Sequence, residues 1–464
     1  MNKKDLTYKP DFVYDKIDDN TKTKMEDFCN KYRAFLNSGK TERECVNESV
    51  KIAEENGFVS IEKKDKLVPG DKVYIINREK NIVLAVIGKE PIQNGFNMVG
   101  SHIDSPRLDL KQNPLYESCN MSMLDTHYYG GIKKYQWATI PLSIHGVIFT
   151  QNGEKINISI GEDENDPVFC ISDLLPHLAK DQMSKKLSDG IEGEDLNIIF
   201  GGYTLGSEKE KNRFKQNVLH ILNKKYGIIE KDFLNAEIEV VPAFKAKNVG
   251  LDGAFVGSYG QDDRVCAFTS LMAVCEEENP EKTSICIMSD KEEIGSCGNT
   301  GFLSDFFKLS IAEIIEKTNG SCDFLTLSRT LSNSSCLSSD VGAAVDPNYE
   351  NVNEKKNAPY AGNGILIMKY TGARGKSGSN DANSEFVYKI SKIFDDNNII
   401  WQTGELGKVD QGGGGTIAQY AANLNMDVID CGVPVISMHS PFEITAKTDI
   451  FMAYLAYKAF YESK

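Results

Sequence analysis

From Arg264 onward, short apolar runs of strand length alternate with helix-length stretches of mixed polarity. The order reads helix 264–278, strand 284–289, helix 303–318 and strand 322–328. A final helix, 448–462, repeats Phe451, Met452, Leu455, Ala459 and Phe460 on one face. Such alternation packs helices in layers against a sheet, so it predicts an α/β layered fold. With 464 residues, the chain has room for more than one domain. No apolar run approaches the roughly 20 residues that span a bilayer, and the opening MNKKDLTYKP lacks an apolar secretory core. A cytoplasmic protein away from membranes is the expectation. The net charge of −15 argues against a general nucleic-acid binder, because phosphate affinity needs clustered cations. Eleven Cys with no CxxC or CxxH spacing fit reduced thiols and give a thiolate zinc site no support.

Before this alternation the chain changes character twice. Residues 21–37 and 41–56 read as a helical hairpin whose second helix opens on the capping box Thr41-x-x-Glu44 and stops at Gly57. Three apolar runs follow from Lys72, the third ending in the polar VGSHIDS. Between 111 and 248 the pattern is β-rich. TIPLSIHGVIFT and KINISIG flank Asn152-Gly153, a strong hairpin signal. A polar helical segment at 173–189, a strand at 196–200, a charged helix at 209–225 and a strand at 236–241 complete it. The expected organisation is therefore a domain made of 1–110 and 249–464, interrupted by an inserted domain at 111–248.

Residues able to do chemistry sit where these strands end. His102 and Asp104 share an i, i+2 spacing on an extended segment, so the acid can orient the imidazole. His439 in PVISMHSPFE also follows a short apolar strand. In SDKEEIGS an apolar strand runs into Glu292 and Glu293, where one carboxylate can ligate a metal while the other accepts a proton. Asp262 precedes a helix, and Asp340 follows a polar strand end. Each has an ordinary account: a core or capping histidine, a solvated acidic turn, a helix N-cap. Together, two His and three carboxylates suit a pair of divalent ions sharing one carboxylate. Mixed N/O ligation fits zinc, with manganese or cobalt as competitors.

The ordered series SHIDSPRLDLK, THYYGGIKKYQW, GLDGAFVGSYGQDDRVCA, SDKEEIGSCG, SSDVGAAVDPNY, KYTGARGKSGSN, QGGGGT and SMHSPFE resembles the aspartyl aminopeptidase/vacuolar aminopeptidase I family of dinuclear zinc exopeptidases, and within it the bacterial branch. The resemblance covers nearly the whole chain. It implies a three-layer α/β/α catalytic domain with a mixed sheet, interrupted by a β-rich dimerisation domain. It further implies that His102, Asp262 and Asp340 hold one zinc, that Asp262, Glu293 and His439 hold the other, and that Asp262 bridges them. Glu292 becomes the general base acting on a bridging hydroxide, and Asp104 orients His102.

The inserted stretch fills the 160 positions from His102 to Asp262. Relatives send a His from this insertion into a neighbouring active site, and His177 in SDLLPHLA matches it, as a substrate-binding group or a zinc ligand. A helix-surface residue is the plain alternative. His127 in THYYGG matches a further recurrent position with no assigned chemistry.

GARGKS is not a phosphate loop, because Tyr370 stands where the first Gly is required. Lys369, Arg374 and Lys376 offer positive charge near a side-chain pocket, and Gly413 in QGGGGT offers close backbone approach to a substrate or, equally, a structural turn. The basic stretch departs from the eukaryotic aspartyl-specific pattern, which leaves the preferred N-terminal residue open.

The function expected is a zinc aminopeptidase acting on peptides with a free N-terminus, assembled as a homo-oligomer, by resemblance a dodecamer. The alternatives are a metal-dependent carboxypeptidase or deacylase using Arg264 or Arg374 for a free carboxylate, and a non-catalytic metal-bound scaffold.

Overall fold

A computed structural model describes residues 6–463, which divide into two compact units. Of the described residues, the first comprises 6–104, 246–438 and 442–463; the second comprises 105–245 with 439–441.

The first unit is built on nine strands: β1 (Val59–Ser60), β2 (Lys72–Asn77), β3 (Asn81–Val86), β4 (Phe96–His102), β5 (Thr283–Ser289), β6 (Ser335–Ser338), β7 (Ile365–Met368), β8 (Trp401–Thr403) and β9 (Asp427–Gly432). Their order across the sheet is β1-β2-β3-β5-β4-β6-β9-β7-β8. The sheet is mixed: β5, β4, β6 and β9 run parallel, while β3 lies antiparallel to β5, and β7 to β9. Strands β3, β4 and β5 are buried at every position, the signature of strands covered on both faces.

The two-residue period decides which face each side chain feeds. Ile82, Leu84 and Val86 join a core with α1 (Asp19–Ser38), α2 (Glu42–Glu55), α3 (Gln261–Cys275), α6 (Ser384–Asp396) and α7 (Lys447–Tyr461). Val83 and Ala85 join the opposite core with α4 (Phe306–Asn319) and α5 (Phe324–Ser332). Two helical layers thus sandwich one sheet, the three-layer α/β/α architecture that the sequence implied. The α2 capping box forms as read: Thr41 Oγ1 accepts from the Glu44 N–H, and Glu44 returns a bond to the Thr41 N–H. A smaller five-stranded sheet orders Lys247–Val249, Phe255–Ser258, Glu443–Ala446, Pro434–Ile436 and Gly342–Ala343.

The second unit is a six-stranded antiparallel sheet ordered Lys155–Ile160, Leu142–Phe149, Ala236–Pro242, Arg107–Ser118, Met121–Tyr129 and Ile198–Gly201, with a helix at Arg213–Tyr226. Phe149 pairs with Lys155 across the Asn152-Gly153 turn, where Gly153 takes φ 81°.

Three local expectations fail. Residues 322–328, expected as a strand, open helix α5, because Asp323 caps it by accepting from the Thr326 N–H at 2.7 Å. The helix expected over 173–189 shrinks to Lys180–Met183, since Pro176 bars helix at the residue before it and removes a donor. Helix α7, expected to bury one face, is buried on nearly every side.

Candidate metal centre

Strands β5, β4 and β6 are adjacent and parallel, so their carboxyl ends open on one edge of the sheet of the first unit. That edge is where open α/β sheets bind their ligands. His102 ends β4 and Asp104 follows it; Glu292 and Glu293 form a 3₁₀ turn beyond β5; Asp340 lies just past β6. The N-terminus of α3 adds Asp262 and Asp263, both with non-helical dihedrals.

His102 organises the cluster. Its Nδ1 lies 3.0 Å from the Asp104 carbonyl and 3.3 Å from Asp104 Oδ1, both acceptors, so this nitrogen carries a proton and Nε2 is the one turned to the ligand cluster. Nε2 faces Asp262 Oδ1 at 3.1 Å, Asp340 Oδ1 at 3.7 Å and Glu292 Oε2 at 4.0 Å. Ligand atoms around a tetrahedral zinc with bonds of about 2.0–2.1 Å stand about 3.3 Å apart, a separation that the first two distances bracket. Two groups bring their donor atoms within 4.8 Å of one another: His102 with Asp263 and Asp340, and His102 with Asp262 and Glu293.

The electrostatics fit the same occupant. His102, Asp104, Asp262, Asp263 and Asp340 are all buried. Burial, followed by the Asp340 charge, pushes Glu292 up to about 8. Burial and Asp340 likewise hold Asp263 well above the carboxylate range, and burial raises Asp340 against the pull of His102. Burial lowers the His102 imidazole, but the carboxylates of Asp104, Asp262 and Asp340 outweigh it and raise it well above its usual value. Crowded buried carboxylates of this kind repel one another until cations neutralise them, and the N/O donor set suits zinc.

Asp104 has a larger part than orienting His102. Its two carboxylate oxygens accept the backbone N–H groups of Glu292 at 3.1 Å and Glu293 at 3.2 Å, fixing the turn that carries both acids. Asp263, which the sequence reading passed over, is fully buried and accepts the His102 N–H at 3.3 Å; the doublet in QDDRV was its signal. Glu443, the last residue of SMHSPFE, accepts the Asp262 N–H at 3.1 Å.

His439 clusters with the second unit, and its Nδ1 is 2.9 Å from the Gly131 carbonyl. His177 is exposed in the second unit, as is His127, whose Nδ1 meets the Tyr128 carbonyl. In the first unit, Arg374 and Lys376 line a cavity of about 380 Å³ with Tyr370, Glu405 and Gly412. Lys369 and Lys376 both pair with Asp381, at 2.6 and 2.9 Å. Gly413 takes φ 123°, and a Cβ there would lie 2.3 Å from the Ala373 Cα, so backbone packing alone demands a glycine. Arg264 is buried, donating to the Lys40 carbonyl and stacked on Tyr259, which occupies it away from any substrate carboxylate.

Among the described residues no helix is long and apolar enough to cross a membrane. Residues 35–461 match the family model described as aminopeptidase I zinc metalloprotease (M18). A protein of Clostridium acetobutylicum described as a probable M18 family aminopeptidase 1 is 53% identical over 452 residues, covering 97% of each chain. The crystal structure of an M18 family aminopeptidase from Thermotoga maritima superposes with a TM-score of 0.95 at 46% identity, over 99% of this chain and 100% of that one. The mApe1 dodecamer of S. cerevisiae shares the fold, with a TM-score of 0.75 at 20% identity over 94% and 97% of the two chains. The chain is thus a peptide-bond hydrolase of the aminopeptidase class, and it belongs to the aminopeptidase I zinc metalloprotease (M18) family.

Proposed function

We propose that this chain removes the N-terminal residue of peptides at a site holding two divalent ions, zinc by preference. His102, Asp262 and Asp340 hold one ion; Asp262, Glu293 and, by the family resemblance, His439 hold the other. When bound, the ions would supply Lewis acidity to the attacking water and to the scissile carbonyl, and positive charge to seat the substrate's terminal amine. Glu292 accepts the proton of the attacking water and delivers it to the leaving amine. Asp104 keeps His102 Nε2 aimed at the ligand cluster and holds the backbone of Glu292 and Glu293.

The observation that carries this reading is the convergence on His102 Nε2 of Asp262, Asp340 and Glu292 within 4.0 Å, from segments far apart in the chain. A fluorogenic peptide assay with and without chelator tests it. Activity lost to chelator, restored by zinc and absent on N-acetylated substrates supports the reading, while equal cleavage of N-acetylated peptides would refute it.

The assembly belongs to the same proposal. In the second unit Leu174, Leu175, Leu178, Met183 and Leu187 are each 46–75% exposed around His177. An apolar stretch of that size on a protein surface calls for a covering partner. We read it as a contact with another copy, in an assembly such as the yeast dodecamer, with His177 reaching a neighbouring site. Eleven unbridged cysteines support a cytoplasmic location.

A further inference from the structure

The turn carrying Glu292 and Glu293 is the front of a loop running from Asp290 to Gly301, and the loop is closed at its neck. Asp290 and Gly301 pair as a parallel β-bridge. The Thr300 hydroxyl donates to Asp290 Oδ2 and accepts from Lys291 Nζ at 2.7 Å, so one buried oxygen uses both of its functions. Lys291 takes φ 67°, and its carbonyl receives the Ser296 N–H at 2.6 Å. At the back, Asn77 donates to the Asn299 carbonyl at 2.8 Å, and Asn81 donates to the Thr300 carbonyl. Room is short: a Cβ on Gly301 would lie 2.1 Å from the Ser296 carbonyl oxygen.

We propose that Thr300 is a positioning residue for the proton transfer, acting through Asp290 and Lys291 to hold the backbone from which Glu292 projects. The inference rests on the assignment of Glu292 as the base. Asp104 clamps the front of the turn through the Glu292 and Glu293 N–H groups, and Thr300 ties its root. Asp290 is a buried carboxylate, 1% exposed, and such a group is held in place by the donors that satisfy it. Without the hydroxyl, Asp290 and Lys291 keep only their direct 3.8 Å pairing, and the root of the turn loses the side-chain bond that backs the Asp290–Gly301 bridge. A shift of about 1 Å in a reacting group costs up to 10²-fold in rate. Thr300 contributes no ligand atom, so the change falls first on turnover, with the ligand set intact.

The test compares Thr300→Val, Thr300→Ser and Glu292→Gln in the full-length enzyme, reading kcat, KM, bound zinc and amide hydrogen exchange across 290–301. Thr300→Val is expected to lower kcat about 10- to 100-fold, with KM within about twofold of wild type, bound zinc unchanged and exchange in that loop accelerated. Thr300→Ser is expected to restore kcat to within about twofold of wild type. Should Thr300→Val prove too unstable to purify, Lys291→Met probes the same tie and is expected to shift kcat and exchange in the same direction. Wild-type kcat in Thr300→Val, zinc loss in it, or equal impairment of Thr300→Ser would overturn the proposal. An inactive Glu292→Gln beside an unimpaired Thr300→Val sinks this inference alone. A fully active Glu292→Gln sinks the base assignment beneath it.

Discussion

Asp104 serves three donors at once, the His102 ring and two backbone N–H groups 188 and 189 positions away, so its removal is felt at both ends of the site. We predict that Asp104→Ala weakens zinc binding about 10- to 100-fold, as losses of partners behind metal ligands do, and lowers kcat besides. Competition with a zinc indicator reads the affinity, and an unchanged value contradicts the role. Glu292→Gln keeps the shape and hydrogen-bonding reach of the side chain and removes its basicity. It is expected to retain zinc and lose about 10²–10⁴-fold in kcat. Away from the site, burial and then Glu462 push the Glu277 carboxyl up to about 7. The native state therefore holds that proton more tightly than the unfolded chain, and the stability this group contributes below about pH 4 is lost as pH rises through 7. Glu277→Gln does not titrate. After discounting for partial exposure, it should gain on the order of 1–2 kcal/mol relative to wild type between pH 5 and pH 8. Melting temperatures of both proteins at the two pH values check this, and a gap that fails to widen counts against it.

At the scale of elements, strand ends were legible because an apolar run turning polar marks both a boundary and an edge where side chains are free to act. VGSHIDS and SDKEEIGS both behaved that way, landing on neighbouring parallel strands. Helix α5 was misread because the apolar Phe324, Leu325 and Leu327 fill a span too short to tell strand from helix; the Asp323 cap decides the matter. The part of Asp263 beside Asp262 could not be read from sequence, since adjacent carboxylates differ only in where the backbone turns at the start of α3. The bonds from Asp104 to Glu292 and Glu293 were equally invisible, as they depend on which strands become neighbours. Where a local signal is complete, as in the Thr41–Glu44 capping box, its energetic weight is also local. Thr41→Ala is predicted to cost about 1 kcal/mol, read as a lower urea midpoint with turnover per folded molecule unchanged. A midpoint equal to that of wild type would show that the box carries no such weight.

On the scale of the whole molecule, alternation of strands and helices was enough for the α/β layered class, while the three-layer form came from the family resemblance; a parallel run needs crossover helices, and those helices occupy both faces of the sheet. Pairing order across nine strands was not legible, for the same reason that the clustered ligands were only a hypothesis from sequence: both are set by contacts between distant segments. Assembly likewise depends on surfaces that pattern alone does not pair. If the exposed apolar stretch around His177 meets another copy, sedimentation velocity should give a species many times the monomer mass, and Leu175→Asp with Leu178→Asp should shift it downward. A wild-type monomer of full activity contradicts that reading.

The His102 imidazole at the end of β4 and the acids beyond β5, beyond β6 and at the start of α3 form, on the proposed function, a centre for two cations. Its most direct measurement is elemental analysis of the purified chain after chelation and reloading with zinc. Two zinc ions per folded chain are expected, retained in Glu292→Gln and reduced in Asp262→Asn. A well-folded wild-type chain that takes up none contradicts it.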